Sequence, residues 1–393
     1  MKLYLTVICT VLVGYIVCDG ARILAIFPVT SPSHNILAVR LMKELVGRGH
    51  EVTMVSPYQQ TETENYNAIL LTGLAKRLEL RKDISKMLKG SHLTMFQHVT
   101  QIFTRYTQST LNHTNFQKLL KSNAKFDLII IEAMFSEALV GVGYRFSAPV
   151  ILLSAMSTNL AIYKYVGIPT SGSTLPCLTL GFTGVMTFPQ RLLNTVVGWS
   201  MDLYHQFYHL RVHNELLHQY FPDAPELQDV LRKYVALVLL NSDPSFDVVK
   251  PLVPNMIHIG GYHVEEPKEL PQVTLHDITE ETLSEAIKEV VNNNIYSTNV
   301  RMRSRLMRDQ PQRPIDTAMF WIEYVLRNKN SSHLKNPAIY LEWHQIQMLD
   351  IYATLAGGII LVSAIFYLLL KKICCSKKDV KKYSQELRTK KTN

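Results

Sequence analysis

The sequence lacks the short motifs that identify a resident cofactor or metal. It contains no glycine-rich GxGxxG loop, no Walker phosphate-binding loop and no group of residues at metal-ligand spacing. We therefore expect neither a cofactor nor a metal site.

Cysteine is scarce as well, with five residues in a chain of 393. Cys9 and Cys18 lie in an apolar N-terminal segment, and Cys374 and Cys375 lie in a basic C-terminal tail, which leaves Cys177 alone in the body of the chain. A disulfide within the body is excluded, so the fold must be stabilised by its hydrophobic core.

The first 20 residues, MKLYLTVICTVLVGYIVCDG, have the pattern of a secretory signal peptide. Lys2 supplies a positive start, an apolar run extends from Leu3 to Val17, and small residues near Gly20 provide a cleavage site. A buried first helix is the alternative. The signal-peptide interpretation predicts that the rest of the chain enters the secretory pathway.

Charge is absent from Ile351 to Leu370, about the length that a helix needs to cross a bilayer. The tail at 371–393 carries eight Lys and Arg388 against Asp379 and Glu386, which gives +7 of the +9 of the whole chain. A basic flank stays in the cytosol, so this pattern predicts a single-pass type I protein with a lumenal body. Since the positive charge is mostly in the tail, the body is not expected to bind nucleic acid.

Two further signals fit that topology. The last four residues, KKTN, resemble the dilysine retrieval signal of endoplasmic-reticulum membrane proteins. Asn112 and Asn330 begin glycosylation sequons in the predicted lumenal body. We therefore expect an endoplasmic-reticulum membrane glycoprotein.

The lumenal body has the pattern of a doubly wound α/β domain, which we place at 21–265. Short apolar runs recur, as expected for parallel strands covered on both faces, with helical stretches between most of them. The runs are ARILAIFPV, EVTMVSP, YNAILLT, FDLIIIE, APVILLSA, VALVLLNS and NMIHIGG.

The segment from Leu160 to Pro222 differs, because it is rich in aromatic residues and histidine. It predicts helices packed over the edge of the sheet. Such helices could line an apolar pocket, contact the membrane surface or simply form core.

His34 is the candidate base. It follows the first strand in the first turn of a helix, at the strand ends where open α/β sheets bind ligands. The helix dipole disfavours an imidazolium there, so we expect a neutral ring. A base also needs a partner for its other nitrogen. Glu132, at the end of the fourth run, is the best candidate, and Glu137 and Asp127 are weaker ones.

With these segments the chain resembles the animal membrane-bound UDP-glycosyltransferases, the UDP-glucuronosyltransferase and glucosyltransferase family. The resemblance is carried by FPVTSPSHN, KELVGRGHEVTMVSP, KFDLIIIEAMFSEAL, MTFPQRLLN, LVLLNSDPSFD, IHIGGYHVEEPKELP and RSRLMRDQPQRPIDTAMFWIEYVLR. It implies a GT-B fold, in which an N-terminal domain binds a small lipophilic acceptor and a C-terminal domain binds the UDP-sugar co-substrate. The catalytic histidine of the family falls on His34, and its partner aspartate falls on Glu132.

The chain departs from this family after EEPKELPQ. The family has a long block between the counterparts of Gln272 and Val273 that carries most of the donor-binding domain, including an HGG element that is absent here. Asp309–Gln310 lies in a later context and is not a donor ligand. Residues 273–350 contain two helix-like stretches, ITEETLSEAIKEVV and DTAMFWIEYVLR, whose apolar faces we expect to be left without the sheet that they normally cover.

The predicted fold is therefore GT-B-like: a doubly wound N-terminal domain (21–265), an incomplete and mainly helical donor-domain remnant (266–350), one transmembrane helix (351–370) and a basic cytosolic tail (371–393). Two functions remain open. The protein transfers a hexose from a UDP-sugar to a small lipophilic acceptor, or it is an inactive shortened form that binds lipophiles or associates with itself or with full-length relatives.

Overall fold

The structure is a computed structural model, and it describes residues 20–74, 91–158, 160–169, 172, 175–182, 185–245, 251–264, 284, 294–329 and 331–389. Five predicted features lie outside this description: residues 1–19 of the signal peptide, the junction of Gln272 with Val273, the segment ITEETLSEAIKEVV except residue 284, Asn330 and the KKTN end. Contacts within the chain divide it into two units, Met1–Ile339 and Tyr340–Asn393. The finer domain boundaries given above stay predictions.

The first unit is built on a parallel sheet of seven strands in the order β3-β2-β1-β4-β5-β6-β7. Each strand lies in one of the seven apolar runs, so these predicted strands are confirmed. The strands are β1 Arg22–Ile26, β2 Glu51–Ser56, β3 Tyr66–Leu70, β4 Leu128–Glu132, β5 Val150–Ser154, β6 Val235–Leu240 and β7 Met256–His258. Strand order reverses between β1 and β4, which is the place where sheets of this kind bind ligands.

Helices follow most of the strands. They are α1 Pro32–Gly47, α2 His92–Leu111, α3 Thr114–Lys121, α4 Gly141–Phe146, α5 Leu160–Tyr165, α6 Phe188–Tyr204, α7 Leu210–Tyr220, α8 Leu227–Tyr234, α9 Asn294–Arg308 and α10 Pro314–Arg327. A π-helical turn, His205–His209, joins α6 to α7. Short 3₁₀ turns lie at Glu137–Val140, Leu178–Leu180, Ser331–Leu334 and Pro337–Tyr340.

Both faces of the sheet are covered, which confirms the doubly wound α/β class. Helices α1 and α10 share one hydrophobic core with β1, β4, β5 and β6. Helices α2, α3, α7 and α8 share the other. Every residue of β4, β5 and β6 is buried, which explains why those runs show no polar alternation.

Helix α10 corrects one expectation from the sequence. Its apolar face, predicted to lack a sheet, is packed into the core beneath α1. The buried side chains of that face are Ile315, Ala318, Met319, Ile322 and Val325. Two ion pairs fasten the same helix at its surface, from Arg48 to Asp316 (3.0 Å) and to Glu323 (3.3 Å). The DTAMFWIEYVLR segment therefore uses the sheet of the N-terminal domain.

Replacing Ile322 tests this packing. We expect Ile322→Ala to lower the free energy of unfolding by about 2–5 kcal/mol, because a fully buried side chain leaves a cavity when it is shortened. Phe320→Ala, on the exposed side of the same helix, should cost about 1 kcal/mol or less. Chemical unfolding of the detergent-solubilised chain measures both. Equal losses would mean that α10 does not pack as described.

The second unit contains a short helix, α11 Trp343–Ile346, and a long one, α12 Leu349–Thr389. Leu349–Leu369 is long and apolar enough to cross a membrane, by length and composition alone, and its side chains are exposed. This agrees with the predicted span at 351–370. The identity of the membrane and the orientation of the chain remain proposals.

Candidate active site

Strand β1 and helix α1 place His34 where the strand order reverses, between β1 and β4. The chain leaves β1 at Ile26, turns through a loop and enters α1 at Pro32, which suits the first helical position because the N–H that it lacks would have no partner there. His34 follows in the first turn, with 16% of its side chain exposed. Its ring therefore borders the solvent at the carboxyl end of the sheet.

Glu132 meets His34 from the neighbouring strand. It is the last residue of β4, which pairs in parallel with β1 through Ile26 and Ile131, so both strands end at the same edge. The Nδ1–H of His34 donates a hydrogen bond to Oε1 of Glu132. The glutamate is 2% exposed, and its Oε2 has no hydrogen-bond partner among the described residues. The pair leaves Nε2 of His34 as the nitrogen that can take up a proton.

The pKa of His34 differs from the expectation of a neutral ring. Burial disfavours the imidazolium, but the hydrogen bond and the negative charge of Glu132 outweigh it and raise the pKa of His34 above its ordinary value of 6.5. The helix dipole on which the expectation rested favours the neutral ring, whereas the adjacent carboxylate favours the imidazolium. A larger fraction of the rings is protonated near neutral pH than the sequence suggested.

This raised pKa predicts a pH-dependent contribution to stability. A group that binds its proton more tightly in the folded chain stabilises the fold fully below its unfolded pKa, and the gain is lost as the pH rises through the folded pKa. Glu132→Gln removes the negative charge that helps to raise the pKa of His34 and leaves a neutral amide as the hydrogen-bond acceptor. The difference in unfolding free energy between wild type and Glu132→Gln should therefore be larger at pH 6 than at pH 9.

Thermal unfolding of the solubilised chain at the two pH values measures this difference. Glu51→Gln is the matched control, since Glu51 is exposed and hydrogen-bonds only to Asn67 among the described side chains. Its difference from wild type should not depend on pH over this interval. A Glu132→Gln difference that is constant, or larger at pH 9, would contradict the raised pKa.

The two weaker candidates for the partner of His34 lie elsewhere. Asp127 precedes β4 at the opposite edge of the sheet, where it accepts a hydrogen bond from the backbone N–H of Arg22 (2.9 Å). Glu137 lies five residues after Glu132 in the sequence, but its side chain faces the helical insert. The structure therefore brings together His34 and Glu132, the pair that the sequence favoured.

The surroundings of Glu137 form a buried polar cluster that the sequence analysis missed. Its carboxylate accepts hydrogen bonds from Nε2 of His205 (3.2 Å), Nε2 of His209 (2.9 Å) and the hydroxyl of Tyr165. Burial lowers the pKa of His205 to about 4. It also lowers the pKa of His213, one helical turn after His209, to about 3. The only sequence signal was a histidine at every fourth position of a helical stretch.

The insert is helical as predicted, and its two faces differ. Tyr204 packs edge-on against Phe96 (6.1 Å between ring centroids) and stacks on Tyr208 (5.0 Å). The opposite face of α6 and the π turn exposes a stripe of large apolar side chains at helical spacing. The stripe consists of Phe188, Leu192, Val196, Trp199, Leu203 and Phe207. Core packing therefore accounts for only one face.

The remaining site residues from the sequence are placed as follows. Asn112 is exposed at the C-terminal end of α2, which leaves its sequon accessible. Asn330 lies outside the described residues. Gln310 donates to Asp243 (2.6 Å), a contact within the first unit.

The chain is similar to known UDP-glycosyltransferases over most of its length. The sequence model of the family described as "UDP-glucoronosyl and UDP-glucosyl transferase" matches residues 22–276 and 271–386. UDP-glycosyltransferase UGT4 of Dactylopius coccus is 24% identical, covering 90% of this chain and 96% of the relative. UDP-glucuronosyltransferase 1A8 of Homo sapiens is 20% identical, covering 85% and 88%. The solved structure of CalG4, the calicheamicin glycosyltransferase, is 14% identical with a TM-score of 0.33, covering 61% of this chain and 53% of that one.

The same comparisons bear on the missing block. The alignment with the Dactylopius relative runs over 487 positions, whereas this chain has 393 residues, so many aligned positions have no residue here. The two matched segments meet at residues 271–276, which include the junction of Gln272 with Val273.

Proposed function

Because the chain belongs to the UDP-glucuronosyl and UDP-glucosyl transferase family, we propose that its site activates a small lipophilic acceptor for glycosyl transfer from a UDP-hexose. The contact of His34 with Glu132 is the observation that carries this proposal. The acceptor class and the sugar follow from the family resemblance.

The proposed chemistry uses the two ring nitrogens of His34 differently. Nε2 takes the proton of the acceptor hydroxyl, while Nδ1–H keeps its hydrogen bond to Glu132, whose charge stabilises the imidazolium that forms. The acceptor oxygen then bonds to the anomeric carbon as the bond from that carbon to the UDP oxygen breaks. UDP leaves with the electron pair, and the anomeric configuration inverts. His34 must be neutral to begin, so transfer that uses His34, wherever a donor is held beside it, should become faster as the pH rises through its raised pKa.

The second candidate function is an inactive family member that binds lipophiles or associates with full-length relatives. One observation favours it. Within the part of the chain that the structure describes, every element after β7 is helical, and no second sheet is present to hold a donor. Under either function we propose an endoplasmic-reticulum membrane protein with a lumenal first unit.

Binding of 4-nitrophenol tests acceptor activation separately from transfer. The solubilised full-length chain should bind it saturably, and the bound ligand should show increased phenolate absorption because His34 accepts its proton. His34→Gln should lose the phenolate signal, whereas His98→Gln should keep it, since His98 is exposed on α2 and, among the described residues, hydrogen-bonds only to a backbone carbonyl. No saturable binding by a broad panel of phenols, or an unchanged signal in His34→Gln, would overturn the proposal.

A further inference from the structure

We propose that Glu137, His205 and His209 form a buried site for a transition-metal ion of the zinc type, which fastens the helical insert to the loop after β4. One ligand atom from each residue lies within 4.8 Å of the other two. Nothing in the proposed transfer chemistry uses these three side chains.

The spacing of the polar atoms suits a tetrahedral ion. A zinc ion with bonds of about 2.0–2.1 Å keeps its ligand atoms about 3.3 Å apart. Nε2 of His205 lies 3.2 Å from Oε1 of Glu137, and Nε2 of His209 lies 2.9 Å from Oε2. These two distances run to different oxygens of the carboxylate, and the three ligand atoms lie within 4.8 Å of one another, so the side chains would draw together around a bound ion.

The chemistry of the donors fits as well. Two imidazole nitrogens and one carboxylate bind zinc in some enzymes, where water takes the fourth position, whereas purely structural zinc sites usually have four protein ligands. A small cavity with room for about one water molecule borders Glu137 and Tyr165, although neither His205 nor His209 lines it. The phenol hydroxyl of Tyr165, which already bonds to Glu137, would hold that water or the carboxylate in place.

The negative charge of the buried Glu137 carboxylate also favours binding of a cation. Glu137 is 2% exposed, and a buried carboxylate is costly without a positive partner. The ammonium of Lys164, on neighbouring α5, lies 2.6 Å from Asp202 and is engaged there. Among the described side chains, Glu137 is within ion-pair distance only of histidines. A metal ion bound by Glu137 and the two histidines would place a positive charge next to this buried carboxylate.

The backbone is irregular at the same place. His205 and His209 begin and end the π-helical turn, a feature that is rare and frequently found at functional sites. Phe135, two residues before Glu137, has a positive φ of 52°, in the left-handed region that non-glycine residues seldom adopt. Its ring lies edge-on to His209 (5.9 Å between centroids).

His213 marks the limit of the site. Its Nδ1 accepts the N–H of Ala138 (3.1 Å), and its Nε2 bonds to Thr104 (3.1 Å), so both nitrogens are already used. We assign it to packing against His209 and not to coordination. The site therefore consists of the three residues named above.

Such an ion would have a consequence for the candidate active site. Glu132 and Glu137 flank a single loop, in which Ser136 donates back to the carbonyl of Glu132 (2.8 Å). Fixing Glu137 to the insert would hold this loop, and with it the end of β4. The site would thus position Glu132 without touching the acceptor.

Metal analysis of the full-length chain tests the proposal. The chain is purified in detergent through a tag without histidine and dialysed without chelator. We expect about one zinc per chain, and we expect cobalt added to the metal-stripped protein to give the intense visible absorption of a tetrahedral site. His209→Gln and Glu137→Gln should each weaken zinc binding at least about tenfold, since even outer partners of metal ligands contribute 10–100-fold.

His218→Gln is the matched control. His218 lies on the same helical segment, on α7, and bonds to two backbone carbonyls away from the cluster, so this variant should keep its metal. A folded wild-type chain that takes up neither zinc nor cobalt overturns the proposal, and so does full zinc affinity in folded His209→Gln and Glu137→Gln. If both variants fail to fold, the cobalt spectrum of wild type decides: an intense visible band supports the site, and its absence overturns it.

Discussion

The unmodified full-length chain, assayed in its own membranes, is expected to transfer no sugar from a UDP-hexose to 4-nitrophenol. A nucleotide diphosphate is normally held by backbone N–H groups at a glycine-rich turn before a helix. The first turn of this chain, FPVTSPSHN, contains no glycine, and its two prolines, Pro28 and Pro32, remove N–H donors. No other strand–turn–helix unit with a glycine loop is present among the described residues after β7.

Restoring the block should restore transfer. We expect a chimera that carries the corresponding block of a longer relative between Gln272 and Val273 to transfer labelled hexose, because the acceptor half is already assembled. His34→Ala in this chimera should then lower kcat by about 10²–10⁴-fold, the usual contribution of a general base. His98→Ala serves as the control and should leave transfer unchanged.

Binding of 4-nitrophenol separates a misfolded chimera from an informative failure. A chimera that binds the phenol and a UDP-sugar but transfers equally well with and without His34 would refute the assigned base. Transfer by the unmodified chain that disappears in His34→Ala would show instead that a donor site is built within this sequence or borrowed from a partner.

Much of the fold was predictable because parallel strands that are covered on both faces have continuous apolar sequences. The run LIIIE of β4 and the run VALVLL of β6 are buried at every position. The proximity of His34 and Glu132 followed from the same property, since the ends of adjacent parallel strands share one edge. The glutamate reaches the histidine despite its additional methylene group.

Contacts between segments that are far apart in the sequence could not be predicted from it. Glu137 is separated by 68 residues from His205 and by 72 from His209, and histidines at every fourth position are compatible with an ordinary amphipathic helix. Helix α10 was misjudged for a similar reason. Its own sequence shows an apolar face but not the surface that covers it, which lies beside α1 at the other end of the first unit's sequence.

Membrane topology gives the second large expected effect, because each part of the chain is either protected from added protease or digested by it. The candidate span at Leu349–Leu369 is followed by a tail that carries a strong excess of lysine. Positively charged flanks remain on the cytosolic side, so the first unit is expected in the lumen and the tail outside. The lumenal side is also where the exposed Asn112 would meet the glycosylation machinery.

Protease added to intact microsomes should therefore remove only the tail, whereas protease added after detergent should digest the whole chain. Asn112→Gln should abolish one glycosidase-sensitive shift in electrophoretic mobility, and an Asn67→Gln control, outside any sequon, should keep it. Digestion of the first unit in sealed vesicles would show that the chain has the opposite orientation. It would also place His34 in the cytosol, where the acceptor and the sugar donor would have to be sought among cytosolic compounds, so the same experiment fixes the compartment in which the transfer assays should be made.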